Sequence, residues 1–103
     1  MKLIKRFENL FGTKKPVIAM IHLGALPGSP LFDSEAGLNG LVNNALSDLE
    51  ALQSAHVDAV MFGNENDRPY ELSVDTASTA AAAYVIGRVK KNIKVPFGVN
   101  MLW

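Results

Sequence analysis

The chain has 103 residues, of which 49% are hydrophobic and 19% charged, a composition typical of one folded globular domain and not of a disordered segment. Ten Lys and Arg balance ten Asp and Glu, so, a local patch aside, no net charge attracts nucleic acid or an anionic membrane, and we expect no nucleic-acid partner. The absence of Cys excludes disulfides, thiolate nucleophiles and zinc–thiolate sites, and it is typical of the reducing cytoplasm, so we expect a cytoplasmic protein.

The first predicted element is a short amphipathic helix within residues 1–14, MKLIKRFENLFGTK. Its apolar residues recur at helical spacing on one face, namely Leu3, Ile4, Phe7, Leu10 and Phe11. Gly12 is expected to end the helix. Charged residues interrupt the apolar stretch too often for a secretory signal, and no segment has the ~20 apolar residues of a membrane span. We expect this helix to pack against its own domain, the alternative being a membrane surface.

The apolar period changes after the first helix. The run PVIAMIHLG, between Pro16 and Gly24, is typical of a parallel strand that is buried on both faces. A loop rich in Pro and Gly follows, and then one stripe of an amphipathic helix: Leu38, Leu41, Val42, Ala45, Leu46, Leu49 and Leu52. Near the end of this helix His56 occupies a position where Gly or Asn usually takes a left-handed conformation, which His tolerates better than most residues.

A second strand is predicted at about residues 58–63, and a second long helix in SVDTASTAAAAYVIGRVKKNI, with Ser73 or Asp75 as its N-cap. The predicted inner face of that helix is Ala77, Ala80, Ala81, Tyr84, Val85 and Val89. A third strand lies in VPFGVNMLW at the end of the chain. This order predicts an α/β fold with a parallel βαβαβ segment, as at the start of a doubly wound sheet or a (β/α)8 barrel.

Polar residues accompany the ends of all three apolar strands. The first strand finishes at His22, the second is followed by Asn64, and the third passes through Asn100. Because both fold types bind ligands at the carboxyl ends of their strands, these residues predict a shared polar layer. Alternation further predicts that two sets of side chains share one face: Ile18, Met20 and His22 with Val60, Phe62 and Asn64.

The string GNENDRPY after the second strand supplies the candidate chemistry. Glu65 is the candidate general base, unless it is a solvated loop carboxylate, and His22 the second candidate for proton transfer, unless it bonds a neighbouring backbone carbonyl. Arg68 can grip a phosphate or carboxylate with two hydrogen bonds, or pair with a nearby acid. The predicted ligand-binding set is Asn64, Asn66, Asp67, Arg68 and Asn100, although for Asp67 a structural role comes first.

Several motifs are absent from the sequence. GALPG lacks the spacing of a dinucleotide fingerprint, and there is neither a Gly-Lys-Ser/Thr phosphate loop nor a nucleophile elbow, so we expect no cofactor. A His-x-x-x-His metal pair is also missing. His22, Glu65 and Asp67 can in principle gather around a divalent ion, but one His makes this a weak candidate, and we predict no metal site.

Three stretches, KPVIAMIHLGALPGSP, VDAVMFGNENDRPY and VPFGVNMLW, resemble N-terminal motifs of the BtpA family, which includes the SgcQ proteins. The resemblance covers nearly the whole chain from about Lys15 and implies a TIM-type barrel related to the ribulose-phosphate-binding barrels. By position it covers His22, Gly24, Pro27, Gly28, residues 63–70, Gly98 and Asn100, without an established catalytic assignment. His56 departs from the family pattern, in which Gly is usual.

The resemblance implies two kinds of function. SgcQ-like members resemble parts of carbohydrate-uptake gene sets, so the first expectation is an enzyme that acts on a small phosphorylated sugar or related metabolite. Other members are linked to photosystem I biogenesis, so the alternative is a non-catalytic assembly or stability factor for a membrane complex. Neither the reaction nor the substrate follows from the residues.

Length limits both expectations. A complete barrel needs about 250 residues, so we expect residues 1–103 to be the N-terminal fragment of a single barrel domain, with residues 15–103 forming the βαβαβ segment. Its outer strands would have open apolar edges, which predicts self-association or pairing with a polypeptide that supplies the missing barrel half. We expect this chain to be inactive by itself, as a truncated gene product or as one part of a split protein.

Overall fold

The structure, a computed structural model, describes residues 2–13, 15–64 and 76–101. Its elements in chain order are α1 (Lys2–Phe11), β1 (Ile18–His22), α2 (Gly37–Ser54), β2 (Ala59–Gly63), α3 (Thr76–Val89), a short 3-10 helix (Lys90–Asn92) and β3 (Phe97–Asn100). Every helix and strand predicted from the sequence is present. The predicted caps of α3, Ser73 and Asp75, lie outside the described residues.

The three strands form one parallel sheet in the order β1-β2-β3. Its register runs from the pair Ile18–Ala59 to the pair His22–Gly63 between β1 and β2, and it ends at Gly63–Asn100 between β2 and β3. The predicted α/β class is therefore confirmed. The βαβαβ arrangement is that of a partial TIM barrel, consistent with its first three strands.

One face of the sheet packs against α2 and α3 and makes the hydrophobic core. The sheet side of this core contains Ile21, Leu23, Val60 and Phe62, each 2% exposed or less. The helix side contains Leu41, Val42, Ala45 and Leu49 of α2 with Ala81, Ala82, Val85 and Val89 of α3. Because one set of alternating strand residues contacts both helices, α2 and α3 lie on the same side of the sheet.

The opposite face of the sheet is open in this chain. Ile18 and Met20 are 46% and 41% exposed, so the prediction that β1 is buried on both faces is wrong here. The reason is that α2 and α3 cover the same face, and the core in the described ranges contains no element packed on the other. This open face is the floor of the candidate site.

The predicted stripe of α2 is confirmed, with its four central residues buried and Leu38, Leu46 and Leu52 packed partly buried against the core. The turn before the helix is fixed by Asp33, whose Oδ1 accepts hydrogen bonds from the backbone N–H groups of Glu35 and Ala36 at 3.0 and 3.2 Å. After the helix, His56 has a φ of 63°, as its position predicted.

The buried face of α3 differs in part from the predicted one. The buried residues are Ser78, Ala81, Ala82, Val85 and Val89. Ala77, Ala80 and Tyr84 are exposed instead of buried. Successive alanines differ neither in size nor in polarity, so the sequence pattern did not determine how far the helix is rotated about its axis.

α1 forms where predicted and ends at Gly12, whose φ is 67°. It does not join the hydrophobic core, which contains no α1 residue among the side chains that the structure describes. Phe7 and Leu10 are 40% and 58% exposed. Among the side chains that the structure describes, this helix is not packed into the core, and the expectation that it packs against its own domain stays a prediction. Within the described ranges, no helix is both long enough and apolar enough to span a bilayer.

Candidate functional site

The carboxyl ends of the three strands bring two predicted site residues into one row. His22 pairs with Gly63, and Gly63 pairs with Asn100, so the row runs His22–Gly63–Asn100 across the sheet. Each of these residues is the last of its strand. Two strand spacings separate the Cα atoms of His22 and Asn100 by roughly 10 Å. We call these three residues the rim row.

Gly63 leaves a gap in the middle of the rim row. A Cβ atom at this position would lie 3.4 Å from the backbone carbonyl oxygen of Asn100 and 3.4 Å from Cε of Met20. His22 and Asn100 are both exposed, whereas Gly63 is buried. The row therefore presents two polar side chains on either side of a glycine that contributes no side chain, and we call this glycine position the slot.

The floor beneath this slot is apolar. The next row of the same face contains Met20, Met61 and Gly98. A Cβ atom on Gly98 would lie 3.4 Å from Cε of Met61, so the methionine thioether extends over that glycine. Methionine side chains adapt to irregular shapes. An apolar floor with a few convergent polar groups is the usual build of a small-molecule site.

Asn64 occupies a different position from the one predicted. It comes directly after the last residue of β2 and is buried, with an exposure of 2%. The register places Ile18, Met20 and His22 opposite Ala59, Met61 and Gly63, so the prediction that they share a face with Val60, Phe62 and Asn64 is wrong. Alternation assigns faces within one strand only, and a register shift of one residue exchanges the faces. The role of Asn64 in ligand binding stays a prediction.

The register that aligns the rim row is stabilised at the other end of the strands, where their amino ends lie. Asp58 Oδ2 accepts a hydrogen bond from the backbone N–H of Val17 at 2.8 Å, and the carbonyl of Val17 accepts one from the N–H of Asp58 at 2.9 Å. On the other side, Gln53 Nε2 donates to the carbonyl of Asn92 at 3.0 Å, while its Oε1 accepts from the N–H of Lys94 at 2.7 Å. These contacts fix where β1 begins relative to β2 and connect the start of β3 to the end of α2.

The loop after β1 is held beside the rim by three contacts. The backbone N–H of Leu23 donates to the carbonyl of Gly63 at 2.8 Å, which continues the ladder beyond His22. Ser78 Oγ donates to the carbonyl of Pro27 at 3.1 Å and ties the loop to the start of α3. A Cβ atom on Gly24 would lie 2.8 Å from Leu41 Cδ2, so a larger residue at this position would require the Leu41 side chain to move.

Four predicted site residues lie outside the described part of the chain: Glu65, Asn66, Asp67 and Arg68. They follow Asn64 directly in sequence, so the chain enters this segment from the edge that carries the rim row. Their assignments as general base and as ligand-binding residues stay predictions. Within the described ranges, no three His, Cys, Asp or Glu residues are grouped so that they could hold a metal ion.

The rim row can perform two kinds of chemistry. The His22 imidazole can donate and accept a hydrogen bond or carry a proton, and the Asn100 amide can orient a hydroxyl or carbonyl group. Sequence reasoning identified both residues but missed the roles of Gly63, Met20 and Met61. Only the register between strands could have revealed these, because it decides which residue stands between His22 and Asn100.

Comparison with known proteins identifies the family. Residues 13–103, which contain all three strands and the rim row, match the family model described as the BtpA family. The chain belongs to the BtpA family. The resemblance seen in the three sequence motifs is thus confirmed, and α1 lies before the matched range.

Relatives within the BtpA family are considerably longer than this chain. The sgc region protein SgcQ of Escherichia coli is 51% identical over 96 residues, which cover 93% of this chain and 36% of the relative. An uncharacterized protein of Pyrococcus horikoshii is 38% identical over 85% of this chain and 33% of its own length. The photosystem I biogenesis protein BtpA of Synechocystis is 30% identical over 89% of this chain and 32% of its own length. The chain thus spans about a third of these relatives, and no solved structure matches it.

Proposed function

We propose that the rim row of this BtpA-family chain binds a small phosphorylated sugar or related metabolite, and that the complete protein is an enzyme acting on it. The observation that supports this most is the placement of His22 and Asn100 on one face, separated by Gly63, above a methionine floor. Parallel α/β folds bind their ligands at this edge.

We propose the following roles in ligand binding and proton transfer. Asn100 orients a hydroxyl or carbonyl group of the ligand, and His22 donates or accepts a proton. Glu65 is proposed as the general base, because it is the first carboxylate after β2. The rim row contains no Lys or Arg, so the phosphate is assigned to Arg68, assisted by Asn66.

The greater length of the relatives supports a proposal for what this chain does alone. We propose that it supplies the first three strands of a barrel domain, and that turnover requires the βα units which its relatives have in addition. The isolated chain then contributes one wall of the site. It binds a ligand weakly and leaves it chemically unchanged.

Phosphorus NMR tests the proposal, because it separates binding from reaction. The chain is mixed with a panel of pentose and hexose phosphates, and the ³¹P line width and chemical shift are followed. We expect broadening for some sugar phosphates, lost in His22→Ala with Asn100→Ala and kept in the surface variant Gly87→Ala. Spectra that are identical with and without protein for every sugar phosphate would contradict the binding proposal. Glu65→Gln, made in the complete protein, is expected to keep binding and lose turnover.

A second candidate function is that of an assembly or stability factor for a membrane complex, whose rim contacts a protein. Two observations favour it: the name of the Synechocystis relative, and the exposed apolar face of α1. Size-exclusion chromatography of detergent-solubilised host membranes distinguishes the candidates. An assembly factor elutes with a large complex, and the His22→Ala, Asn100→Ala variant elutes separately.

A further inference from the structure

The balanced charge of the chain conceals a strong division between its two parts. Residues 1–15 contain five of the ten Lys and Arg but one of the ten Asp and Glu, which gives this segment a formal net charge of +4 and leaves −4 for residues 16–103. The basic residues of the segment are Lys2, Lys5, Arg6, Lys14 and Lys15. A positive charge is therefore concentrated on and around α1.

The same helix exposes its apolar side. Phe7 and Leu10 are 40% and 58% exposed, and the Phe7 and Phe11 rings form an edge-to-face pair with centroids 4.9 Å apart. Lys5 and Arg6 are exposed as well. Charged and polar residues interrupt the apolar ones throughout α1, and this pattern distinguishes helices that lie in a membrane interface from helices that cross it.

We propose that α1 lies on the surface of an anionic lipid bilayer, with Phe7, Leu10 and Phe11 inserted at the headgroup boundary and Lys5 and Arg6 facing the lipid phosphates. Charge complementarity favours anionic lipid over contact between the α1 helices of two copies, because that contact would bring two segments of net charge +4 together. The shortness of α1 favours reversible binding to the bilayer. Its ten residues span about 15 Å and bury few apolar side chains.

This membrane contact is independent of the rim row. The match to the BtpA family begins at residue 13, after the last residue of α1, so the proposed lipid contact belongs to a segment outside the matched range. Gly12, with a φ of 67°, separates the helix from the βαβαβ unit. The proposal holds whether the rim binds a metabolite or a protein.

Cosedimentation of the 103-residue chain with vesicles tests the proposal. The vesicles are phosphatidylcholine alone or phosphatidylcholine mixed with phosphatidylserine. We expect binding to the mixed vesicles only, weakened on the order of tenfold by Lys5→Glu with Arg6→Glu, and weakened by added salt. The matched control is Lys90→Glu with Lys91→Glu, which reverses two exposed charges at the end of α3 and is expected to bind as the unchanged chain does.

Two further variants test the apolar side of α1. Phe7→Ser with Leu10→Ser is expected to abolish binding, whereas Leu31→Ser, which changes an exposed leucine in the loop after β1, is expected to leave it unchanged. Far-ultraviolet circular dichroism of each variant shows whether the βαβαβ unit is folded. Absence of binding to the mixed vesicles, or equal binding to both kinds, overturns the proposal. So does a concentration-dependent dimer that is lost in Phe7→Ser with Leu10→Ser, which assigns the face to a second copy.

Discussion

His22 and Asn100 lie on either side of Gly63 in a single row of the sheet, although they end the first and the third of the strands that the structure describes. Their side chains face the same side because the partners in a parallel register share a face. With a glycine between them, the two polar groups border one space. Residues far apart in the sequence thereby lie in one row of the sheet.

Filling the slot should block it. Gly63→Val is expected to weaken ligand binding by at least about tenfold, or ~1.4 kcal/mol, because a branched side chain would occupy the space above Met20. Isothermal titration with the best sugar phosphate measures the effect. Gly98→Val is the matched control, since it meets Met61 at the same 3.4 Å but one row lower. Equal losses in both variants would mean that the slot has no special role.

The Gln53 side chain should stabilise the connection between α2 and β3. Gln53→Ala removes a donor to Asn92 and an acceptor for Lys94, and we expect the free energy of unfolding to fall by about 1–3 kcal/mol. Gln53→Glu keeps the acceptor alone and should lose less. Urea denaturation followed by circular dichroism compares the three proteins. Identical midpoints would show that these two hydrogen bonds contribute nothing to stability.

The Asp58 carboxylate should stabilise the start of β1. Asp58→Ala deletes the acceptor of the Val17 N–H, and we expect a loss of about 1–2 kcal/mol with faster amide exchange at Ile18 and Ala19. Asp58→Asn retains one oxygen that can accept this hydrogen bond and should behave more like the original. Unchanged exchange rates in Asp58→Ala would contradict the role given to this carboxylate.

His56 adopts a backbone conformation that glycine adopts more easily. At a φ of 63° the Cβ atom is unfavourably close to the backbone, so His56→Gly is expected to raise the free energy of unfolding by about 0.5–1 kcal/mol. Ala55→Gly, at a neighbouring position with a φ of −83°, is expected to lower it. A stability loss in both variants would argue that the His56 side chain makes contacts which outweigh the strain.

The elements of the fold were predictable because helices and buried strands differ in the spacing of their hydrophobic residues. The change from helical spacing before Gly12 to the continuous run around Ile21 located α1 and β1, and the leucine stripe located α2. The left-handed residue at His56 was predictable because helices commonly end with a residue in this conformation. These features depend on local sequence alone.

The predictions that failed concern contacts between elements. The alanines of α3 gave no contrast between inner and outer faces, so Tyr84 was assigned inward although it is exposed. The pairing of His22 with Gly63 instead of Asn64 is a matter of register, which hydrogen bonds such as that between Asp58 and Val17 fix. The position of α1 depends on what covers Phe7 and Leu10, which local periodicity does not encode.

If a small ligand enters the rim row, it contacts one of the two histidines of the chain and not the other. His22 ends β1, whereas His56 precedes β2 and lies at the opposite edge of the sheet. Nitrogen-15 NMR of both imidazoles is recorded while a sugar phosphate is added. We predict that the His22 signals move together with the Asn100 side-chain amide, while those of His56 stay in place. Signals of His22 and Asn100 that do not move with any sugar phosphate, or that move no more than those of His56, would contradict it.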